Sequence, residues 1–392
     1  MNWFEKIKIE GYRRLHNVEI EMRPLTVMIG ANGVGKTSLL EIFSLLAASA
    51  KGQLESKLSE LGGLNEIITR DKANKIAIYL IDVLIDSTSS STFDYCLEVT
   101  PKGLAYKISL ETLTEKDYGM RYPKSIKYPH TLNHIESHNL DIKYLNPDNQ
   151  KLLTPEWEYN HLETALSQVP KIYKLPEKFR RKLASCTFYG PLDVTPKSPV
   201  RLPQQMRPVK LPGANGEDLV SCLYYLRETD QERFELIEDT LAAAFPDFER
   251  LGFPPVAAGT FAMTWKDKNF SQPIYMHQLS EGTLRFLWLV TLLQSPGLTA
   301  VTLIDEPEVS LHPELLRLLA DVMREASQRT QLIVATHSDR LIRFLKPEEV
   351  LICDAEDGLT TMKWGDSFDL EHWLEDYSLD QVWAMNLIGG RP

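Results

Sequence analysis

Gly30-Ala31-Asn32-Gly33-Val34-Gly35-Lys36-Thr37-Ser38 has the spacing G-x-x-x-x-G-K-S/T of a phosphate-binding loop, and its flanks have the form such a loop requires. Leu25-Thr26-Val27-Met28-Ile29 before it is an apolar, partly β-branched run that predicts a buried strand, and Leu39 to Ala50 after it predicts a helix. A triphosphate would then lie on a helix N-terminus. There the dipole favours an anion, and glycines let successive N–H groups turn inward with no side chain in the way. Lys36 adds a point charge within reach of the β/γ oxygens, and the Thr37 hydroxyl is placed to ligate a Mg2+ that keeps most of its waters. Gly30, Asn32, Gly33, Gly35, Lys36, Thr37 and Ser38 are the candidate nucleotide-binding residues, with ATP and Mg2+ as the expected ligands. A glycine-rich turn that binds nothing is the bland alternative, and the order strand, loop, helix argues against it.

The 392 residues, 43% of them hydrophobic, are enough to bury a sizeable core in one large or two ordinary domains. A net charge of −11 gives no overall positive field to attract nucleic acid, so any such contact needs a local basic patch. Cys96, Cys186, Cys222 and Cys353 are far apart and form no C-x-x-C pair, which argues against a zinc knuckle or disulfide framework and fits a reducing cytoplasm. The N-terminal residues lack the apolar core of a signal peptide, and Phe286 to Leu293, the most apolar stretch, is too short to span a bilayer. Neither secretion nor membrane insertion is expected.

Along the chain, Ile7-Lys8-Ile9 and Val18-Glu19-Ile20 alternate around Gly11-Tyr12-Arg13-Arg14, predicting a hairpin at the edge of the same core as the phosphate-loop strand. Tyr12, Arg13 and Arg14 are either solvated turn residues or contacts to a base or ribose. Ile76 to Ile85 predicts a strand, Ser87 to Thr92 a loop, and Phe93 to Val99 with Leu104 to Leu110 a second hairpin. Between Glu111 and Lys210 periodicity is poor, with helical character only at Glu163 to Val169 and Glu177 to Ala184. His130, His134 and His138 would face one side of a helix and offer a metal site, but the segment is a poor helix former, and a solvated polar stretch is the preferred reading. Lys178-Phe179-Arg180-Arg181-Lys182 is a compact basic run, either a nucleic-acid contact or a solvated face. Gly216 to Phe245 predicts two helices broken near Asp230, and Thr260 to Trp265 and Pro273 to Met276 predict strands returning to the core.

Val301-Thr302-Leu303-Ile304-Asp305-Glu306 is a buried strand ending in two acids, which places them at the carboxyl edge of a parallel sheet. Asp305 would hold Mg2+ through water, and Glu306 would polarise the water attacking the γ-phosphate. Upstream, Leu279-Ser280-Glu281-Gly282-Thr283 opens a helix whose N-terminus, with Ser280 and the Gly282 backbone, forms either a second anion site or a plain helix cap. Two grips on one ATP in a monomer would be redundant. If each completes a site on a partner, two chains sandwich two nucleotides. Leu332-Ile333-Val334-Ala335-Thr336-His337-Ser338 is a strand ending in a histidine suited to bond the γ-phosphate, although a strand-end histidine is commonly structural.

These elements, in this order, resemble the ATPase heads of the ABC superfamily. Gly30 to Thr37 is similar to its Walker A loop, Leu279 to Thr283 to the signature motif, Asp305 and Glu306 to Walker B, Ser310-Leu311-His312 to the D-loop and His337 to the switch histidine. Ile7 to Gly35, Leu279 to Phe286, Asp305-Glu306-Pro307-Glu308, Leu311-His312-Pro313 and Leu387-Ile388-Gly389-Gly390-Arg391-Pro392 resemble the RecF and structural-maintenance-of-chromosomes branch, in particular its stand-alone bacterial AAA-family predicted ATPases. The pattern departs from the family in places. No glutamine ends a strand after the first helix, so the Q-loop is unassigned and Gly62-Gly63-Leu64-Asn65 stand in its place; Glu281 replaces a common glycine. No heptads announce coiled-coil arms, and the roughly fifty residues after His337 are too few for an appended nuclease domain.

The resemblance implies an α/β P-loop head built from residues 1–85 and 273–392, with residues 86–272 as an inserted α+β lobe. It implies slow ATP hydrolysis with Glu306 and His337 as catalytic residues, Thr37 and Asp305 on Mg2+, and Ser280 and Gly282 acting in trans in an ATP-bound homodimer. Two other readings stand beside it: a nucleotide-gated scaffold or sensor for an effector protein, as in anti-phage defence, and a DNA-repair ATPase that grips duplex DNA.

Overall fold

Alternating burial along Phe4–Tyr12 (β1) and Leu15–Glu21 (β2) pairs them as an antiparallel hairpin, with Ile7 opposite Ile20 and Ile9 opposite Val18. The computed structural model describes residues 3–86, 89–117, 130–139, 141–146 and 149–390. Leu25–Ile29 (β3) is buried at every position, and Lys36–Ala50 (α1) follows the glycine loop, as the flanking sequence predicts. The chain divides into two compact units, residues 1–187 with 351–368 and 388–392, and residues 188–350 with 369–387.

In the first unit the hairpin does not share a sheet with β3, contrary to the expectation of an edge hairpin on the phosphate-loop core. It forms one edge of an antiparallel sheet that continues through Ile76–Asp86 (β4), Ser89–Lys102 (β5), Ala105–Asp117 (β6), His130–His138 (β7) and Asp141–Leu145 (β8) to the short Leu152–Leu153. β3 lies in another sheet beside Val350–Glu356, which pairs antiparallel with Leu359–Trp364. The serine-threonine run expected as a loop is largely strand: Ser89 to Thr92 pair with Asp86 to Val83, while Ser87 and Thr88 lie outside the described residues. Polar residues carry β structure there because the ladder, not the side chains, satisfies the backbone.

β7 also corrects the histidine reading. On a strand, residues four apart share a face but stand about 13 Å from one another, too far for one metal. His134 is buried and bonds Glu115 at 2.8 Å, and His138 lies 3.2 Å from Glu136. Among the described residues no group of three metal-ligating side chains occurs.

The poorly periodic segment after β8 is fixed by long-range polar contacts rather than by an amphipathic repeat. Glu163 to Val169 forms only a 3-10 turn at Leu166–Gln168 instead of a helix. Buried Glu111 on β6 accepts from the Tyr95 hydroxyl at 3.0 Å, the Leu166 N–H at 3.0 Å and the Ala165 N–H at 2.5 Å. Glu163 in turn accepts from the Leu54 and Glu55 N–H groups at 2.9 and 3.2 Å, satisfying donors at the start of helix Leu54–Glu60. The helix Lys174–Ala184 buries Phe179 against Phe4, Phe93 and Tyr95, with ring centroids 6.3, 6.4 and 5.4 Å apart. Its basic run is largely used internally: Arg180 and Arg181 bond Glu177 at 2.6 and 2.7 Å, and Lys182 pairs with the buried Asp82.

In the second unit, Leu219–Thr229 and Gln231–Ala244 form the two helices expected, broken at Asp230, whose side chain caps the second by accepting from the Arg233 N–H. Thr260 to Trp265 is split between two strands, and Thr264–Asp267 pairs with Phe248–Gly252 and Ile274–Tyr275 in a small sheet of its own. Glu281–Gln294 is buried at almost every position from Leu284 onward, as befits a helix apolar around its whole circumference. Val301–Asp305 and Gln331–Ala335 run parallel in register, Asp305 opposite Ala335, with helix Leu315–Ser327 between them in sequence. All four cysteines are buried and unpaired, and among the described residues no helix is long and apolar enough to cross a membrane.

Replacing Glu111 by Ala strands two N–H groups and a hydroxyl in the core, and urea unfolding is expected to show a loss of about 3 kcal/mol. Burial pushes the Glu111 carboxyl up to about 7, so the folded state holds its proton more tightly than the unfolded chain. Its contribution is full below the ordinary carboxylate pKa and is lost as pH rises through 7, by up to about 3 kcal/mol. Glu111→Gln should flatten that dependence between pH 5 and 7.

Candidate nucleotide site

β3 enters the loop at Gly30, where φ is +149° and a Cβ would stand 2.2 Å from the Cys353 carbonyl oxygen. No other residue fits that approach. The turn continues through Gly33 and Gly35, also at positive φ, and Gly35 opens α1 with no side-chain cap and no acid in the first turn. The helix N-terminus is therefore left for a ligand's oxygens rather than filled by the protein. Lys36 is buried, and its Nζ donates to the carbonyls of Gly30 at 2.5 Å and Ala31 at 2.9 Å, across the mouth of the loop. Ser38 is buried with it, whereas Asn32, Gly33 and Thr37 face solvent. This donor set, with a cation, a hydroxyl and uncapped amides around a glycine turn, fits a triphosphate carrying Mg2+.

Two contacts at the loop were not legible in the sequence. Gly390 packs against Gly30, its N–H bonding Asp354 at 3.1 Å, so the resemblance at the chain's end has a structural counterpart beside the phosphate loop. Tyr12 is fully buried rather than a solvated turn residue, and its hydroxyl and the Arg13 Nε both bond Glu41 of α1 at 2.8 Å.

The acids and the histidine lie in the second unit. Asp305 ends its strand, and Glu306 takes φ +49°, its N–H bonding the Ala335 carbonyl at 2.8 Å. That left-handed residue turns the chain off the sheet edge and brings Glu306 Oε1 to 3.7 Å from His337 Nε2. A cavity of about 10 Å³ beside Asp305 and Glu306 is also lined by Arg285, whose Nε is buried without a bonding partner, so a cation stands close to the acid pair. Glu308 accepts from the Thr336 hydroxyl at 2.6 Å and the His337 N–H at 3.1 Å, and burial raises its carboxyl above the usual range.

Ser280 is a helix cap, accepting from the Thr283 N–H at 3.1 Å, and its side chain remains exposed. Gly282 lies within the first turn, where a Cβ would stand 2.7 Å from the Ser310 carbonyl oxygen, so its missing side chain lets this helix meet the turn at Ser310, itself at φ +61°. The approach to Ser280 is held by Arg201, whose guanidinium donates to the carbonyls of Val194, His277 and Leu279 at 2.6, 3.1 and 2.9 Å. No spacing in the weakly periodic region singles out Arg201. The sequence-predicted residues thus fall into two half-sites: Gly30 to Ser38 in the first unit, and Ser280, Gly282, Asp305, Glu306 and His337 in the second.

The family model described as "AAA domain, putative AbiEii toxin, Type IV TA system" matches residues 25–343. No curated protein matches the sequence. Among solved structures, an Smc head bound to the C-winged helix domain of ScpA is similar with a TM-score of 0.56 at 14% identity, over 97% of this chain and 99% of that one. A Pyrococcus furiosus Smc head with an extended coiled coil, bound to the C-terminal domain of ScpA, gives 0.53 at 13% identity, over 96% and 98%. At such identities the likeness is one of fold: a mixed α/β architecture resembling an ABC- and SMC-type ATPase head. The matching family is described in toxin–antitoxin terms rather than as the RecF and SMC branch read from the sequence, and what the two have in common is the P-loop ATPase fold.

The close approach of Ser310 gives Gly282 a role within its own chain. Gly282→Ala is expected to lower stability in urea by about 1–3 kcal/mol with no nucleotide present, from overpacking against backbone. An unchanged midpoint would leave Gly282 only a role between chains.

Proposed function

The chain belongs to this AAA-domain family, and on that premise we propose that it is a nucleotide-gated switch, binding ATP and hydrolysing it slowly to control a partner protein. The observation that carries the reading is the uncapped N-terminus of α1, reached through a glycine turn with Lys36 across its mouth. The family's description names a toxin of a toxin–antitoxin system, and the Smc heads of similar fold are bound to a domain of ScpA, which supports a protein effector as the partner. A duplex-DNA partner draws no support from the basic run, since Arg180, Arg181 and Lys182 are ion-paired within the protein.

In this reading the amides from Gly33 to Thr37 hold the β-phosphate, and Lys36 exchanges its loop carbonyls for phosphate oxygens. Thr37 and Asp305 would hold the Mg2+, which when bound would supply charge neutralisation on the phosphates. Glu306 accepts a proton from the attacking water as its oxygen bonds the γ-phosphorus and the bond to the ADP oxygen breaks, and His337 donates to a γ-phosphate oxygen. Ser280 and the Gly282 amide serve the nucleotide of a second copy, making the ATP-bound state a homodimer. Residues 1–85 and 273–392 carry this chemistry, and the inserted residues 86–272, which divide between the two units, read it out.

Lys36→Ala should abolish binding of a fluorescent ATP analogue. Glu306→Gln should retain binding while phosphate release falls by about 100-fold or more. Normal turnover in Glu306→Gln would remove that residue from the mechanism, and absence of ATP binding by the unaltered protein would end the reading.

A further inference from the structure

The parallel strands Val301–Asp305 and Gln331–Ala335 stop together, and the residues that do the proposed chemistry lie just past their ends. Beyond that point the sheet ladder supplies no partners, so the backbone of Thr336, His337 and Ser338 must find its bonds elsewhere. The last rung of the ladder runs from the Glu306 N–H to the Ala335 carbonyl at 2.8 Å, and past it residues 336 and 337 donate to the Glu308 carboxylate instead.

Both donors converge on one oxygen, Glu308 Oε1: the Thr336 hydroxyl at 2.6 Å and the His337 N–H at 3.1 Å. The Thr336 hydroxyl is itself oriented, because it accepts from the Ser338 N–H at 3.0 Å, and Thr336 is wholly buried. Glu308 is anchored in turn through its carbonyl, which accepts from the Leu311 N–H at 3.0 Å. The other oxygen, Oε2, is buried without a bonding partner. Such a group costs stability, so the fold carries an expense at Glu308 that an apolar residue would avoid. Glu306 Oε1 and His337 Nε2 stand 3.7 Å apart, beyond hydrogen-bond distance.

We propose that Glu308 is the positioning residue of this half-site, fixing the His337 imidazole relative to Glu306 by clamping the backbone from which the imidazole projects. This rests on the hydrolytic reading for its consequence, but the clamp itself is a property of the fold. A side-chain carboxylate does here, at the segment bearing the histidine, what a neighbouring strand does elsewhere. Without it, His337 keeps its place in the sequence but not its register against Glu306, and displacement of the order of 1 Å costs about a hundredfold in rate.

The test compares Glu308→Gln, which keeps a carbonyl acceptor, with Glu308→Leu, which removes it, in the full chain. Steady-state ATP hydrolysis and amide hydrogen exchange at residues 336–338 are measured for each. In Glu308→Leu, kcat should fall about 10–100-fold with little change in KM, and the His337 amide should lose protection. Glu308→Gln should restore most of the turnover and the protection. If Glu308→Leu does not fold, Thr336→Val removes one donor from the opposite side, and the same amide should then exchange faster. Retained protection and retained kcat in Glu308→Leu would overturn the proposal; equal impairment of the Gln and Leu variants would as well, by assigning the effect to the charge. If the unaltered protein hydrolyses no ATP, the functional reading fails, and the exchange contrast still decides the clamp.

Discussion

The close approach of Gly30 to the Cys353 carbonyl is the constraint on which the first half-site depends. A buried strand must leave the sheet and become a helix within six residues, and the neighbouring backbone leaves no room for a side chain at the departure point. Because the turn is made by glycines, the amides at the start of α1 are not consumed by a cap, and Lys36 can fold back on the loop's own carbonyls. The loop thereby keeps the amides at the helix start uncapped, with a cation beside them. Gly390 against Gly30 extends the same packing to the far end of the chain.

The second half-site carries strain and buried charge of its own. Glu306 and Ser310 both sit at positive φ, Glu308 leaves one oxygen unpaired, and Arg285 leaves a buried Nε without a partner. Such costs persist where surrounding structure over-determines them, and they cluster where chemistry is done. The first unit also holds buried charge: Glu111 is surrounded by donors, and Asp82 pairs with Lys182 while its second oxygen, like that of Glu308, is buried without a partner; both tie segments of low periodicity to the sheet.

Local pattern, or its absence, explains what could be read from the residues. β3, Glu281–Gln294 and the strands ending at Asp305 and Ala335 were legible as continuous apolar runs, and the helices either side of Asp230 by their period, with glycines and acids punctuating them. The phosphate-loop turn was legible for the same reason. β7 and the residues from Leu152 to Gln168 were not, since their order comes from contacts distant in sequence, such as Glu111 to Leu166 and Glu163 to Leu54, which leave no local pattern. The histidines were not legible because four-residue spacing is shared by one helix face and one strand face, and only the pairing of β7 with β6 and β8 distinguishes them. Arg201 and Glu308 went unnoticed because each acts on backbone carbonyls or amides, and a backbone partner has no sequence signature.

The central claim is that ATP links two copies of this chain through the loop at Gly30 to Ser38 and the helix beginning at Ser280. Its most direct measurement is solution mass by light scattering for the Glu306→Gln protein, with and without ATP and Mg2+, repeated with Ser280→Arg added. The account predicts a shift from monomer to dimer on adding nucleotide, abolished by Ser280→Arg. A mass that does not respond to ATP, or a dimer indifferent to Ser280→Arg, would contradict it.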